Sequence, residues 1–208
     1  MAVVATTERE TYESVWQAVP QYGEVSPGER LAPVFDGIVR DLDHRPGTVL
    51  DAGCGSGKGA LALRALGYTV TLCDLTDAGL TDEAKGLPFF ETALWCDLRP
   101  HAKARWPNVD PHQIHEWTRF DWVYCTDVLE HLPTAMVGLS VHRLLEVARY
   151  GVFVHVSLER DVMGVWVGKP LHQTVQPFTW WRDLLSELGR VAEARDCIGS
   201  ALFLVVPR

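Results

Sequence analysis

The sequence predicts an α/β protein with an open, mostly parallel sheet and helices on both of its faces. Three observations lead there. Strand-length apolar runs alternate with segments of helical apolar spacing along most of the chain. One strand, Thr48-Val49-Leu50-Asp51, runs into a turn with glycine at every second position and then into a helix. The last two strand-like segments meet at a tight Gly199-Ser200 turn, which makes them a hairpin and adds an antiparallel strand.

Each element has its own signal. Tyr12, Val15, Trp16 and Val19 share one face of a helix over 8–18. Ser26-Pro27-Gly28-Glu29 reads as a helix start, with Ser26 as cap, Pro27 in the first turn and Glu29 reaching back. The helix it opens runs to about Asp43, with Leu31, Val34, Phe35, Ile38 and Leu42 at helical spacing. After the strand at 48–51, a helix runs through Leu66 and stops at Gly67. A strand over 68–73 leads to a helix over 76–85. Strands are expected at 90–96, 120–125 and 151–157, with a helix over about 134–149 between the last two. A helix over 178–188 and strands at about 191–197 and 201–206 close the chain, for seven strands in all. Residues 99–119 form a long polar insertion, a length usually functional or mobile.

The bulk properties narrow the function. The chain has 208 residues, of which 47% are hydrophobic and 22% charged, as in one ordinary globular domain. We divide it into an N-terminal helical cap, 1–45, and a main domain, 46–208. No apolar run is long enough for a bilayer. The N-terminal stretch lacks a basic flank, so no signal peptide and a cytoplasmic location are expected. The five cysteines form no C-x-x-C pair and read as reduced core residues. A net charge of −8 argues against a broad electrostatic footprint on bare nucleic acid, without excluding a local basic groove.

The segment Asp51-Ala52-Gly53-Cys54-Gly55-Ser56-Gly57-Lys58-Gly59 carries the sharpest chemical signal. Alternate glycines let the backbone turn tightly and approach a ligand, and the next helix points free N–H groups into the same crevice. A phosphate-binding P-loop needs one more residue before Lys58 and a hydroxyl where Gly59 stands. A dinucleotide fingerprint needs glycine where Lys58 stands, which weakens that reading. The pattern D-x-G-x-G-x-G fits without mismatch. It resembles the first motif of the class I S-adenosylmethionine-dependent methyltransferases, whose sheet is Rossmann-like. Asp74 closes the second strand, and Trp95-Cys96-Asp97-Leu98 the third. The segment Phe120-Asp121-Trp122-Val123-Tyr124-Cys125-Thr126-Asp127-Val128-Leu129-Glu130-His131 resembles the fourth motif of that superfamily.

That resemblance covers 48–133 and implies S-adenosylmethionine as cofactor. It assigns Asp51, Gly53, Cys54, Gly55 and Gly57 to the cofactor loop and Asp74 with Leu75 to the ribose. Cys96, Asp97 and Leu98 fall to the adenine, and Thr126 and Asp127 to the far side of the cofactor. Alternatively, Asp74 only caps the next helix and Asp97 a turn.

Methyl transfer is an in-line displacement, so the protein mainly aligns a nucleophile and removes its proton. Asp127, Glu130 and His131 stand at i, i+3 and i+4, one face of a helical turn. His131 and His172 are the candidate bases, with Glu130 orienting an imidazole or the acceptor. A loop over 169–181 can fold over the acceptor pocket. His155, inside an apolar strand, reads as a core histidine. No metal is assigned, but Glu130, His131 and His172, with Asp127, form an alternative divalent-ion site. That set resembles the ubiquinone-pathway and plant small-RNA O-methyltransferases, except that Asp127 replaces their first glutamate. In a third reading the Glu-His pair only packs and caps.

Tyr12, Trp16, Tyr22 and Arg30 either cover the cofactor or dock a helix on the sheet. Arg99, His101, Lys103 and Arg105 either meet an anionic acceptor or form a solvated face. The expected activity is methylation of an O or N atom on a small-molecule or sugar-like acceptor. Nucleic acid or a modified nucleobase comes second. A nicotinamide-dependent oxidoreductase and a non-catalytic cofactor-binding scaffold are the rivals.

Overall fold

A computed structural model describes residues 2–19, 22–25, 27–98 and 119–208. Ser26 and all of the polar insertion but Arg119, including Arg99, His101, Lys103 and Arg105, lie outside the described residues. The elements are α1 (Ala2–Ala18), α2 (Tyr22–Val25), α3 (Gly28–Asp41), β1 (Thr48–Ala52), α4 (Lys58–Ala65), β2 (Thr69–Asp74) and β3 (Phe89–Glu91). Then come β4 (Phe120–Thr126), α5 (Thr134–Val147), β5 (Ala148–Ser157), α6 (Phe178–Leu188), β6 (Arg190–Cys197) and β7 (Ser200–Val206).

The seven strands form one sheet in the order β3-β2-β1-β4-β5-β7-β6. Neighbours from β3 to β5 are parallel, and β7 pairs antiparallel with β5 and β6. This is the expected Rossmann-like α/β sheet. The strand order reverses between β1 and β4, which leaves a crevice beyond their carboxyl ends.

Strand alternation divides the core into two layers. Val49, Trp122, Tyr124, Phe153, Leu202 and Leu204 point to one face and pack with Phe35, Val39, Ala60 and Leu63 of α3 and α4. Leu50, Ala52, Val123, Cys125, Val154 and Phe203 point to the other, against Val137, Val141, Leu144, Trp181 and Leu185 of α5 and α6. The edge strand β6 carries Arg190, Glu193, Arg195 and Asp196 and is largely exposed, which discourages pairing with other chains.

Two expected elements change. The helix over 76–85 is a run of turns ending in a short 3-10 helix, Ala84–Gly86. Its amides are spent elsewhere: Ala78 N donates to Thr76 Oγ1, Leu80 N to the Asp77 carbonyl and Thr81 N to the Ser56 carbonyl. The strand over 90–96 shrinks to β3: Thr92 N makes the last ladder bond, to the carbonyl of Asp74 where β2 ends, and Cys96 N then closes a turn on Ala93. Cys96, Asp97 and Leu98 therefore follow the strand in a turn and do not end it. Of the cysteines, Cys54, Cys73 and Cys125 are buried as expected, whereas Cys96 and Cys197 are exposed. No described helix is long and apolar enough to cross a membrane.

Candidate active site

The crevice at the strand ends is a cavity of about 400 Å³. Gly53, Gly55 and Ser56 form its floor after β1, Asp74 and Leu75 its wall after β2, and Thr126, Asp127 and Val128 its wall after β4. Gly53 has φ +77, and a Cβ there would lie 2.5 Å from Val128, so only glycine lets the loop pass under the β4 turn. Asp51, Cys54 and Gly57 do not line the cavity. The buried Asp51 carboxylate accepts the Ala60 amide and anchors the loop from below; burial and Asp74 push its carboxyl up to about 7. Cys54 is buried, and Gly57 packs on Ala84.

Asp74 receives Gly55 N on Oδ2 at 2.8 Å and Leu75 N on Oδ1 at 2.7 Å. Burial raises its carboxyl to about 6, and these amides restrain the rise. Leu94 and Trp95 add an apolar wall. Cys96, Asp97 and Leu98 stay off the cavity: Cys96 is exposed and Leu98 is buried in the core.

The turn after β4 does not present one face. Asp127, at φ 62, and His131 line the cavity, but Glu130 turns beneath it. Leu129–His131 is a 3-10 turn, not an α-helix, so residues at i, i+3 and i+4 diverge. Ser157 N donates to Glu130 Oε1 at 2.5 Å, while Glu130 Oε2 is buried with no hydrogen-bond partner among the described residues. Burial and the nearby charge of Asp127 hold the Glu130 carboxyl well above the usual range.

The two candidate histidines meet edge to face, with ring centroids 4.6 Å apart. Burial and His172 lower His131 to about 4, so its ring is neutral near pH 7. His172 Nδ1 lies 2.6 Å from the Glu159 carbonyl. A carbonyl only accepts, so Nδ1 carries the proton and Nε2 keeps a lone pair. Asp161 receives the amides of Gly164, Leu171 and His172 and folds this loop back over the cavity. His155 on β5 is part-buried, and its Nδ1 has no hydrogen-bond partner among the described residues, unlike the satisfied core histidine expected.

Tyr12, Trp16 and Tyr22 of the N-terminal segment line the cavity. Trp16 lies 3.4 Å from the position of a Cβ on Gly55 and meets Tyr22 edge to face. Arg30 does not reach the cavity. Glu159, Arg160, Asp161, Val162 and Met163 also line it and carry no sequence motif. Only their place, directly after a strand whose neighbours end in the site, could have found them.

Ligand atoms of Glu130, His131 and His172 lie within 4.8 Å of one another. That spacing can hold a divalent ion. It can equally serve proton transfer, since a single acceptor atom between them could reach the imidazoles and the carboxyl.

The family described as "Methyltransferase domain" matches residues 29–190. A ubiquinone biosynthesis O-methyltransferase of Pseudomonas paraeruginosa is 34% identical over 110 residues, 50% of this chain and 44% of that protein. The chain thus matches less than half the length of that relative. Among solved structures, a 1,6-didemethyltoxoflavin-N1-methyltransferase of Burkholderia thailandensis, bound to 1,6-didemethyltoxoflavin and S-adenosylhomocysteine, superposes with TM-score 0.67 at 16% identity. The match covers 98% of this chain and 88% of that one. A magnesium protoporphyrin IX methyltransferase of Synechocystis PCC 6803, with bound S-adenosylhomocysteine, gives TM-score 0.59 at 18% identity over 86% of this chain and 83% of that one. The chain belongs to the methyltransferase-domain family and, through it, to the class I S-adenosylmethionine-dependent methyltransferase superfamily.

Proposed function

We propose that the protein transfers a methyl group from S-adenosylmethionine to an O or N atom of a small-molecule acceptor, with His172 as general base. The observation that carries this reading is the His172 tautomer. The Glu159 carbonyl holds the Nδ1 proton and leaves an Nε2 lone pair on a cavity-lining ring.

The residues fit the cofactor. The Asp74 carboxylate, whose amide partners leave lone pairs on both oxygens, receives the ribose hydroxyls. Leu75, Leu94 and Trp95 offer an apolar wall to a flat base. Gly53 and Gly55 bare the backbone below the sulfonium end. When bound, the cofactor supplies a methyl group made electrophilic by positive sulfur. Helix α1 and the 158–172 loop exclude water, and His172 takes the acceptor proton onto Nε2 as the new bond forms. Of the N-terminal segment, α1 and α2 act as a lid, with Trp16 and Tyr22 over the glycine loop, whereas α3 belongs to the core.

Small acceptors are favoured over nucleic acid because the site is a bounded cavity in a chain of net charge −8. The names of the relatives agree: a ubiquinone-pathway O-methyltransferase and an N-methyltransferase with a bound small heterocycle. A second reading rests on the Glu130–His131–His172 spacing, which would let a divalent ion activate an acceptor hydroxyl.

An acceptor screen with methyl-labelled cofactor, spanning phenols, heterocycles, sugars, nucleotides, DNA and RNA, tests the proposal. Label should enter a small acceptor, and His172→Gln should abolish it. Label confined to nucleic acid, or none at all, contradicts the reading. Turnover that survives a chelator removes the metal reading; turnover lost to the chelator and restored by a divalent ion establishes it.

A further inference from the structure

Helix α1 reaches the chemistry through one side chain. The Tyr12 hydroxyl lies 2.8 Å from His131 Nδ1, and the two rings meet edge to face at 5.9 Å. The same helix holds a second thread to that spot. Gln173 Nε2 donates to Glu8 Oε1 at 3.1 Å and to the His131 carbonyl at 3.0 Å. The amides of Gln173 and Thr174 both donate to the Glu130 carbonyl. The Leu129–His131 turn and segment 171–174 are therefore stitched together, and α1 is pinned to the stitch by Glu8 and Tyr12.

We propose that Tyr12 is a positioning residue for methyl transfer: its hydroxyl donates to His131 Nδ1, fixes that ring as the Nε2–H tautomer, and through the ring contact holds the His172 Nε2 lone pair toward the acceptor. The inference rests on the methyl-transfer reading above and deepens it, because it makes lid closure a condition for an aligned base.

The direction of the bond follows from both partners. A phenol keeps its proton near neutral pH. That proton needs an acceptor, and the buried Nδ1 is the hydroxyl's one hydrogen-bond partner among the described residues. An imidazole that accepts this bond at Nδ1 carries its own proton on Nε2. The chain then reads Tyr12 O–H to His131 Nδ1, which leaves the His131 proton on Nε2, and His172 Nδ1–H to Glu159. In the opposite direction Tyr12 would accept, and His131 Nε2 would be bare, as a metal ligand must be.

Nitrogen-15 spectra of the histidine rings in the full chain, bound to S-adenosylhomocysteine, test this directly. His131→Gln and His172→Gln supply the assignments. The wild type should show His131 as Nε2–H and His172 as Nδ1–H. In Tyr12→Phe the His131 signals should average between tautomers. With the acceptor found by the label screen, kcat should fall roughly tenfold or more while the KM for cofactor stays within about twofold. A wild-type His131 in the Nδ1–H form overturns the proposal, and this reading needs no variant to fold. An unaltered His131 spectrum in Tyr12→Phe, or altered signals with unchanged kcat, also overturns it. Full turnover by His172→Gln sinks the base reading instead, whatever Tyr12→Phe does.

Discussion

Asp74 and Gly55 are joined across the mouth of the crevice: the Gly55 amide donates to Asp74 Oδ2 at 2.8 Å. One carboxylate thus closes β2 and holds the second glycine of the loop that leaves β1. The residue proposed to grip the ribose also shapes the backbone beside it.

This double duty gives cofactor binding a pH dependence. Burial holds Asp74 at about 6, so it is mostly charged at pH 8 and mostly neutral at pH 5. A carboxylate that must accept ribose hydroxyls binds best when charged. Affinity for S-adenosylhomocysteine, measured by calorimetry, should be flat above about pH 7 and about tenfold weaker at pH 5. Asp74→Asn should bind weakly throughout and lose most of that slope. Any slope it keeps reports Asp51, which titrates near 7 beneath the loop.

His131 makes the fold acid-sensitive. Its folded value, about 4, lies below the unfolded reference of about 6.5, so the unfolded chain binds the proton more readily. Stability is complete above the unfolded value and is lost as pH falls toward the folded one, by about 3 kcal/mol in all. Urea denaturation should show this loss between pH 6.5 and 4 in the wild type. In His131→Gln the loss over that window should be smaller.

Glu130 distinguishes the metal-free from the metal-assisted reading. Its buried Oε1 accepts the Ser157 amide, and its Oε2 has no hydrogen-bond partner among the described residues. Glutamine can keep the Ser157 bond, so Glu130→Gln should stay folded and active without added metal. Glu130→Ala strands a buried amide and should cost about 1–3 kcal/mol in denaturation. A Glu130→Gln variant that folds but loses turnover would instead favour the metal.

The lid should respond to a residue remote from it in sequence. A Cβ on Gly79 would lie 2.3 Å from the Trp16 ring. Gly79→Ala should therefore displace Trp16 and weaken S-adenosylhomocysteine binding about as much as Trp16→Ala, roughly tenfold. The double variant should be no worse than either single one, because both remove the same contact.

Local patterning made most of the scaffold legible. The β1–glycine–α4 turn, β4, the terminal hairpin and helix 178–188 all rest on signals within a few residues, and all form. The misses have long-range causes. The segment 76–85 is helical by apolar spacing, but Thr81 N is drawn to the Ser56 carbonyl and Gly79 must admit Trp16. Strand 90–96 is cut short because its partner β2 ends at Asp74, which takes the last ladder bond from Thr92 N. Asp127, Glu130 and His131 were legible as residue types but not as a face, since a 3-10 turn separates Glu130 from the cavity. Nothing local marks the 158–163 wall or the Tyr12 hydroxyl as part of the site; a sheet must first bring α1 and the β5 loop to the same strand ends.

The most direct test is calorimetric titration of the wild type and Asp74→Ala with S-adenosylhomocysteine and, separately, with NADH. Wild type should bind S-adenosylhomocysteine and ignore NADH, and Asp74→Ala should bind at least tenfold more weakly. Binding of NADH, silence toward S-adenosylhomocysteine, or equal affinity in both proteins would contradict a methyl-donor site built on Asp74 and the glycine loop.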